Sequence, residues 1–134
     1  MRHQNLEIIN KFFEAFGKQD MAALNELVAP DIQWIFPGHH PLAGTKKGIE
    51  EVVNFFDSMG KIMEASNIKV ERLVNGVNDD YVVECQHIWT NRKDGNNLDH
   101  YWCVLWAFRD GKITEGRHLA SDQHLVDSFF CKVY

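Results

Sequence analysis

Long apolar runs are missing from this chain of 134 residues. No stretch approaches the ~20 residues that a helix needs to cross a bilayer, and no charged-then-apolar signal pattern opens it. A membrane role is therefore not expected, and the expected setting is cytoplasmic. Basic clusters are equally scarce. None exceeds Lys46-Lys47 and the net charge is -5, which argues against a nucleic-acid partner. Three cysteines (Cys85, Cys103, Cys131) are odd in number, far apart and follow no metal spacing. That pattern favours reduced thiols, with one bridge left open. His39 and His40 are adjacent but have no His-x-His or nearby carboxylate partner, so no metal is expected. No cofactor is expected either. Internal repeats and low-complexity segments are absent.

What is present is aromatic. Phe, Trp and Tyr make up 12% of the chain, with four Trp and nine Phe, and such side chains line cores, small-molecule pockets and interfaces. The length suits a single domain, residues 1–134. Its organising stretch runs from His100 to Asp122, two strands joined at Arg109-Asp110-Gly111-Lys112, because Asp-Gly between alternating apolar runs is a strong hairpin signal. The first arm is apolar on both faces, so each face wants cover. Helices can supply one cover; a second sheet or a second molecule must supply the other.

Taken in order, the chain places Leu6, Ile9, Phe13 and Phe16 at helical spacing over residues 5–17, with Asn5 as N-cap and Gly17 as stop. Asp20 caps a shorter helix with Leu24, Leu27 and Val28 on its face, ended by Pro30. Ile32 to Phe36 reads as a strand closed by Pro37-Gly38, and residues 39–45 as a loop. Gly48 opens a third helix striped by Ile49, Val52, Val53, Phe56 and Met59, with Gly60 near its end. Period-two patterning then marks strands around Ile68–Leu73 and Tyr81–Trp89, a turn at Asp94-Gly95, and the long hairpin; Leu125–Phe130 reads as a short closing helix. Helices followed by a run of strands predict an α+β fold: a cone-shaped barrel of a curved antiparallel sheet wrapped around the N-terminal helices.

Trp34-Ile35-Phe36-Pro37-Gly38-His39-His40-Pro41-Leu42-Ala43-Gly44, followed by Gly48-Ile49-Glu50-Glu51-Val52, resembles a signature of the SnoaL-like branch of the nuclear transport factor 2-like superfamily. A second match is Phe108 to Glu115, then Asp122-Gln123 and Asp127 to Phe130. The resemblance implies a cone with a hydrophobic cavity and a homodimer through the outer sheet face. The superfamily includes ketosteroid isomerases, polyketide cyclases, epoxide hydrolases, dehydratases and plain binding modules, so fold does not give function. The isomerases carry a carboxylate on the strand before the Pro-Gly loop, where this chain has Trp34, Ile35 and Phe36. The Arg-Asp pair of the epoxide hydrolases falls on Arg117-His118, with histidine in place of the carboxylate. By the same resemblance, the late acid/base group of the cyclases is to be sought at His118 or Asp122.

His118 is the foremost catalytic candidate, since an imidazole can accept and return a proton near neutral pH; Gly116 and Ala120 beside it are expected to leave room for a ligand. Asp122 could assist it, though it equally reads as an N-cap. Trp34, Phe36, Phe56, Trp89, Trp102 and Trp106 are core residues of which some are expected to line an apolar pocket, with His40 at its mouth and His87 and His100 facing inward. Tyr101 and Cys103 have the opposite parity and belong on the outer face, the cysteine inert. Two readings follow. One is a cofactor-independent acid/base enzyme (isomerase, cyclase or dehydratase type) acting on a small hydrophobic carbonyl compound; the other is a non-catalytic module for binding a small hydrophobic ligand or for dimerisation.

Overall fold

The structure is a computed structural model that describes residues 3–133. Helix α1 (Gln4–Gly17) packs Ile8, Ile9, Phe12 and Ala15 into the core. Its cap is His3, whose Nδ1 accepts from the Asn5 N–H at 3.0 Å. Asn5, expected as the cap, is instead buried in the first turn and donates to the carbonyls of Asn78 and Asp79 at 3.0 and 3.1 Å. Asp20 caps α2 (Met21–Leu27), accepting from the Ala23 N–H at 3.1 Å.

The second helix stops before Pro30. Val28 is already extended, and β1 runs Val28–Phe36 straight through the proline. Pro30 sits exposed where the pairing with the neighbouring strand shifts register between Val28 and Gln33, a place where a missing N–H costs no ladder bond. Val28 thus belongs to a strand, not to a helical face. The loop expected over residues 39–45 ends in a short strand, β2 (Gly44–Lys47), antiparallel to β1. Being mostly exposed and polar, it carries no apolar alternation to detect. Helix α3 (Gly48–Ala65) passes through Gly60 for 18 residues, about 27 Å. It buries Val52, Val53, Phe55 and Met63, while Phe56 and Met59 are half-buried.

Strands β3 (Lys69–Val77), β4 (Tyr81–Trp89), β5 (Asp99–Arg109) and β6 (Lys112–Ala120) follow as an antiparallel run, and α4 (Gln123–Lys132) closes the chain. Asp110 and Gly111 both take positive φ, 54° and 74°, as the tight turn between β5 and β6 requires. The six strands form one curved, unclosed sheet in the order β2-β1-β6-β5-β4-β3. The α+β class is as expected. One pair departs from the antiparallel pattern: β1 lies parallel to β6, to which the chain returns only after β2, α3 and β3 to β5.

One face of the sheet packs against the helices. It carries Ile32, Trp34, Phe36, Val82, Ile88, His100, Trp102, Val104, Trp106, Ile113 and His118, all buried. The other exposes Leu73, Val74, Tyr101 and Leu119.

Candidate functional site

The register aligns the inner face in lateral rows. Val82, Trp106, Gly116 and Trp34 form one row, and Glu84, Val104 and His118 the next. Gln86, Trp102 and Ala120 form a third, with the Trp102 indole N–H donating to Gln86 Oε1 at 2.9 Å.

His118 is enclosed by rings. Its centroid lies 4.8 Å from Phe36, 5.0 Å from Trp102, 5.7 Å from Trp34 and 6.1 Å from Phe55. Both ring nitrogens are buried without a hydrogen-bond partner, as are the indole nitrogens of Trp34 and Trp106. Burial alone pushes the imidazole pKa down to about 3, so the ring is neutral at physiological pH. The space expected over Gly116 is taken. The Trp34 indole lies against the glycine so closely that a Cβ there would overlap its six-membered ring.

Glu84 is the surprise of the inner face. Its side chain is 10% exposed, with Arg72 Nη2 at 3.8 Å from Oε2. Burial raises its pKa, against the pull of Arg72 and of the Trp106 indole N–H; that N–H leans toward the carboxyl without the geometry of a hydrogen bond. Glu84 and His118 line one cavity of about 210 Å³, with Trp34, Phe56, Val104 and Trp106 as walls and Gln86 beside the carboxyl. Phe13 and Arg72, both exposed, stand at its rim. Larger hollows of about 360 Å³ against α1 and α2, about 510 Å³ where α2 meets the start of α3 and about 330 Å³ between the β4–β5 connection and α4 are lined largely by surface side chains and hold no buried titratable group.

Trp34, Phe36, Phe56, Trp102, Trp106 and His118 stand in one cluster of ring contacts. His100 also faces inward, but its Nε2 accepts from the Asp122 backbone N–H at 3.3 Å and lies 3.4 Å from Ser121 Oγ, and burial lowers its pKa. The expectation of His40 at the pocket mouth is corrected: its side chain is buried beside α4, away from the Glu84–His118 cavity, stacked on Phe130 at 5.0 Å with Asp127 3.9 Å away, and burial lowers its pKa as well. Gln123 Nε2 bridges that loop to the helix, donating to the Pro37 carbonyl and to Asp127, both at 2.9 Å.

The inward placing of His87 and Trp89 and the catalytic role of Asp122 are corrected, while the N-cap reading of Asp122 holds. His87 and Trp89 lie on the outer face: strand parity puts them with Cys85, opposite Val82, Glu84 and Ile88. There His87 stacks on Tyr101 at 4.6 Å and bonds Asp99 at 2.6 Å. Asp122 is the cap of α4, accepting from the N–H groups of His124 and Leu125, and is exposed rather than turned toward His118. Glu84, Arg72 and Gln86 were missed. The signal lay in β4, where Glu84 and Gln86 interrupt the parity of Val82 and Ile88; the cleaner apolar alternation through Val83, Cys85 and Trp89 pointed to the wrong face.

Residues 9–116 match the family model of the SnoaL-like domain. The chain belongs to the SnoaL-like domain family. Among its relatives is the uncharacterized protein Rv0034 of Mycobacterium tuberculosis, 26% identical over 127 residues that cover 94% of this chain and 95% of that one. The SnoaL-like fold here is similar to the solved structure of Bal32a from a soil-derived mobile gene cassette, at 29% identity and a TM-score of 0.75 over 95% of this chain and 96% of that one. A nuclear transport factor 2-like protein of Burkholderia xenovorans has a TM-score of 0.72 at 23% identity, over 94% and 95% of the two chains. A candidate SnoaL-like polyketide cyclase of Jannaschia has 0.65 at 21%, over 94% and 91%. These similarities show that the chain shares the cone-like fold of a nuclear transport factor 2-like protein. Among the described residues, no helix is long and apolar enough to cross a membrane.

Proposed function

We infer that this SnoaL-like chain is a cofactor-independent acid/base catalyst, of isomerase, cyclase or dehydratase type, for a small hydrophobic carbonyl compound. One observation carries the reading: a carboxyl with a raised pKa and a neutral imidazole with unpartnered nitrogens face one apolar cavity from opposite sides of Val104. Groups whose surroundings push their pKa values off their ordinary ranges are how a site divides proton-handling roles. Here the division reverses the sequence expectation. A histidine with a pKa near 3 is a poor base but a competent neutral hydrogen-bond donor. Glu84, its pKa raised by burial, is the proton carrier.

Glu84 as carboxylate takes the proton α to a carbonyl, the His118 N–H steadies the enolate oxygen, and the protonated Glu84 returns the proton at the new position. The four rings around His118 must part slightly for its nitrogen to reach that oxygen; Glu84 is met first from the rim. The cavity lies below the ~300 Å³ of drug-sized sites, so the reading favours a substrate of about one ring.

The test is exchange. Small enolisable ketones incubated with the protein in deuterated buffer should gain deuterium at the α carbon, and Glu84→Gln should abolish the gain while ligand-induced thermal stabilisation persists. Stabilisation without exchange in the unaltered protein would leave the binding-module reading in its place.

Homodimerisation through the outer sheet face is kept as part of this proposal. It is supported by Leu73, Val74, Tyr101 and Leu119, large apolar side chains exposed together on that face. Sedimentation should give a dimer that Leu119→Asp dissociates; a monomer throughout the micromolar range would remove it.

A further inference from the structure

The outer face carries a pair of groups that the proposed chemistry does not use. Cys85 and Cys103 are directly opposite each other on β4 and β5, and their sulfurs are 3.0 Å apart. The pair sits in the middle of a lateral row, Val74-Cys85-Cys103-Leu119. Both sulfurs border a shallow, mostly apolar depression of about 230 Å³ whose other walls include Leu73, Tyr101 and Leu119. Neither cysteine is fully buried, so a small reagent can reach them.

We propose that Cys85 and Cys103 form a reversible dithiol–disulfide site that reacts with low-molecular-weight disulfides. Two requirements decide whether a cysteine pair can do this, and the sheet meets both. The first is backbone spacing. Directly opposite residues of an antiparallel pair have Cα atoms about 4.5 or 5.5 Å apart, and both values fall in the ~4.4–6.8 Å span of disulfides. Only the last ångström or so of sulfur separation has to close, by side-chain rotation. The second is a division of roles. Burial, then the contact with Cys85, raises the Cys103 pKa to about 11, so Cys103 keeps its proton at neutral pH and enters second, as the resolving thiol.

The exchange runs in two steps. The Cys85 thiolate attacks one sulfur of the small disulfide; a Cys85–S bond forms, the reagent's S–S bond breaks, and one small thiolate departs, taking from water the proton that Cys85 had given up. The Cys103 sulfur then attacks Cys85, the Cys85–Cys103 bond forms, and the second small thiol leaves with the Cys103 proton. Two protein thiols are oxidised and one small disulfide is reduced to two thiols. A dimer through this face would cover the pair, so the exchange takes place on the dissociated protomer; both cysteines belong to one chain, and the bond formed is intrachain.

The experiment uses oxidised and reduced glutathione as the redox pair, acting on Cys131→Ser protein, which removes the exposed third thiol. After alkylation with N-ethylmaleimide, intact mass and peptide mapping read the state of both cysteines. Folded protein should convert to the Cys85–Cys103 disulfide at an oxidised-to-reduced ratio about tenfold or more below that needed in urea, since the fold holds the sulfurs together. Dithiothreitol should restore both alkylation sites, and the unsubstituted chain should map to the same linkage. Glutathione adducts alone, thiols that stay fully alkylable, or a midpoint unchanged by urea would each overturn the proposal.

Discussion

Glu84 and His118 stand in one lateral row of the sheet with Val104 between them, both side chains on the helix-packed face. Two strand spacings separate their backbones, about 10 Å. That leaves a carboxyl and an imidazole on opposite walls of a cavity, close enough to touch one small molecule and too far apart to neutralise each other.

Glu84 is costly to the fold where it is useful to a reaction. Its pKa is raised by burial. A carboxyl whose folded pKa exceeds its unfolded one stabilises the fold below the unfolded pKa, and that contribution is lost as pH rises through the folded value. Glu84→Gln should therefore raise the melting temperature at pH 7–8 relative to the parent, with the gain shrinking toward pH 4 and below. Calorimetry across pH checks it. A melting temperature that falls at pH 8 would contradict a buried, reluctant carboxylate.

Arg72 tunes that carboxyl from the rim. It lies 3.8 Å away and lowers the Glu84 pKa against the effect of burial. Arg72→Met should move the Glu84 titration to higher pH, and with it the acidic limb of any rate that needs the carboxylate. NMR of the Glu84 side chain against pH reads this directly; a shift to lower pH would be the wrong sign.

His118 should make the protein sensitive to acid. Its folded pKa of about 3 lies below the ordinary 6.5, so the stability it allows is fully present above about 6.5 and is lost as pH falls toward 3. The loss for a gap of this size is at most roughly 5 kcal/mol. His118→Phe should flatten the stability curve over that window, as denaturation series from pH 7 to pH 4 would reveal. An unchanged slope would mean that the ring is not the group resisting protonation.

Gly116 and Trp34 should behave as one unit. A Cβ on Gly116 would overlap the Trp34 indole, and overpacking a core typically costs about 1–3 kcal/mol. Gly116→Ala is expected to destabilise by at least about 2 kcal/mol. In Trp34→Leu background the same change should cost less, giving a coupling in the double-mutant cycle. Additive costs would show that the alanine's penalty comes from the backbone instead.

Much of the architecture was legible without coordinates. Periodicity located α1, α3 and the four long strands, because a buried stripe at 3.6 residues or an alternation of two is imposed locally by helix and strand geometry. The Asp110-Gly111 turn was equally plain, since its positive φ values restrict the residues that suit it. His118, Trp34 and Trp102 could be named as inner residues for the same reason. The face of β4 could not. Both parities of Tyr81–Trp89 carry apolar side chains, and only the pairing of β4 with β5 and β3 decided that Glu84 turns inward while His87 and Trp89 turn outward. The run of β1 through Pro30, its parallel lie beside β6 and the pairing of β2 are contacts between distant segments, which no local pattern encodes. The sequence by itself determined the main helices, the four long strands and the aromatic richness from which the inner face is built. Tertiary pairing alone decided which charge shares that lining, because burial, and the pKa shift it causes, belongs to the neighbours that folding supplies.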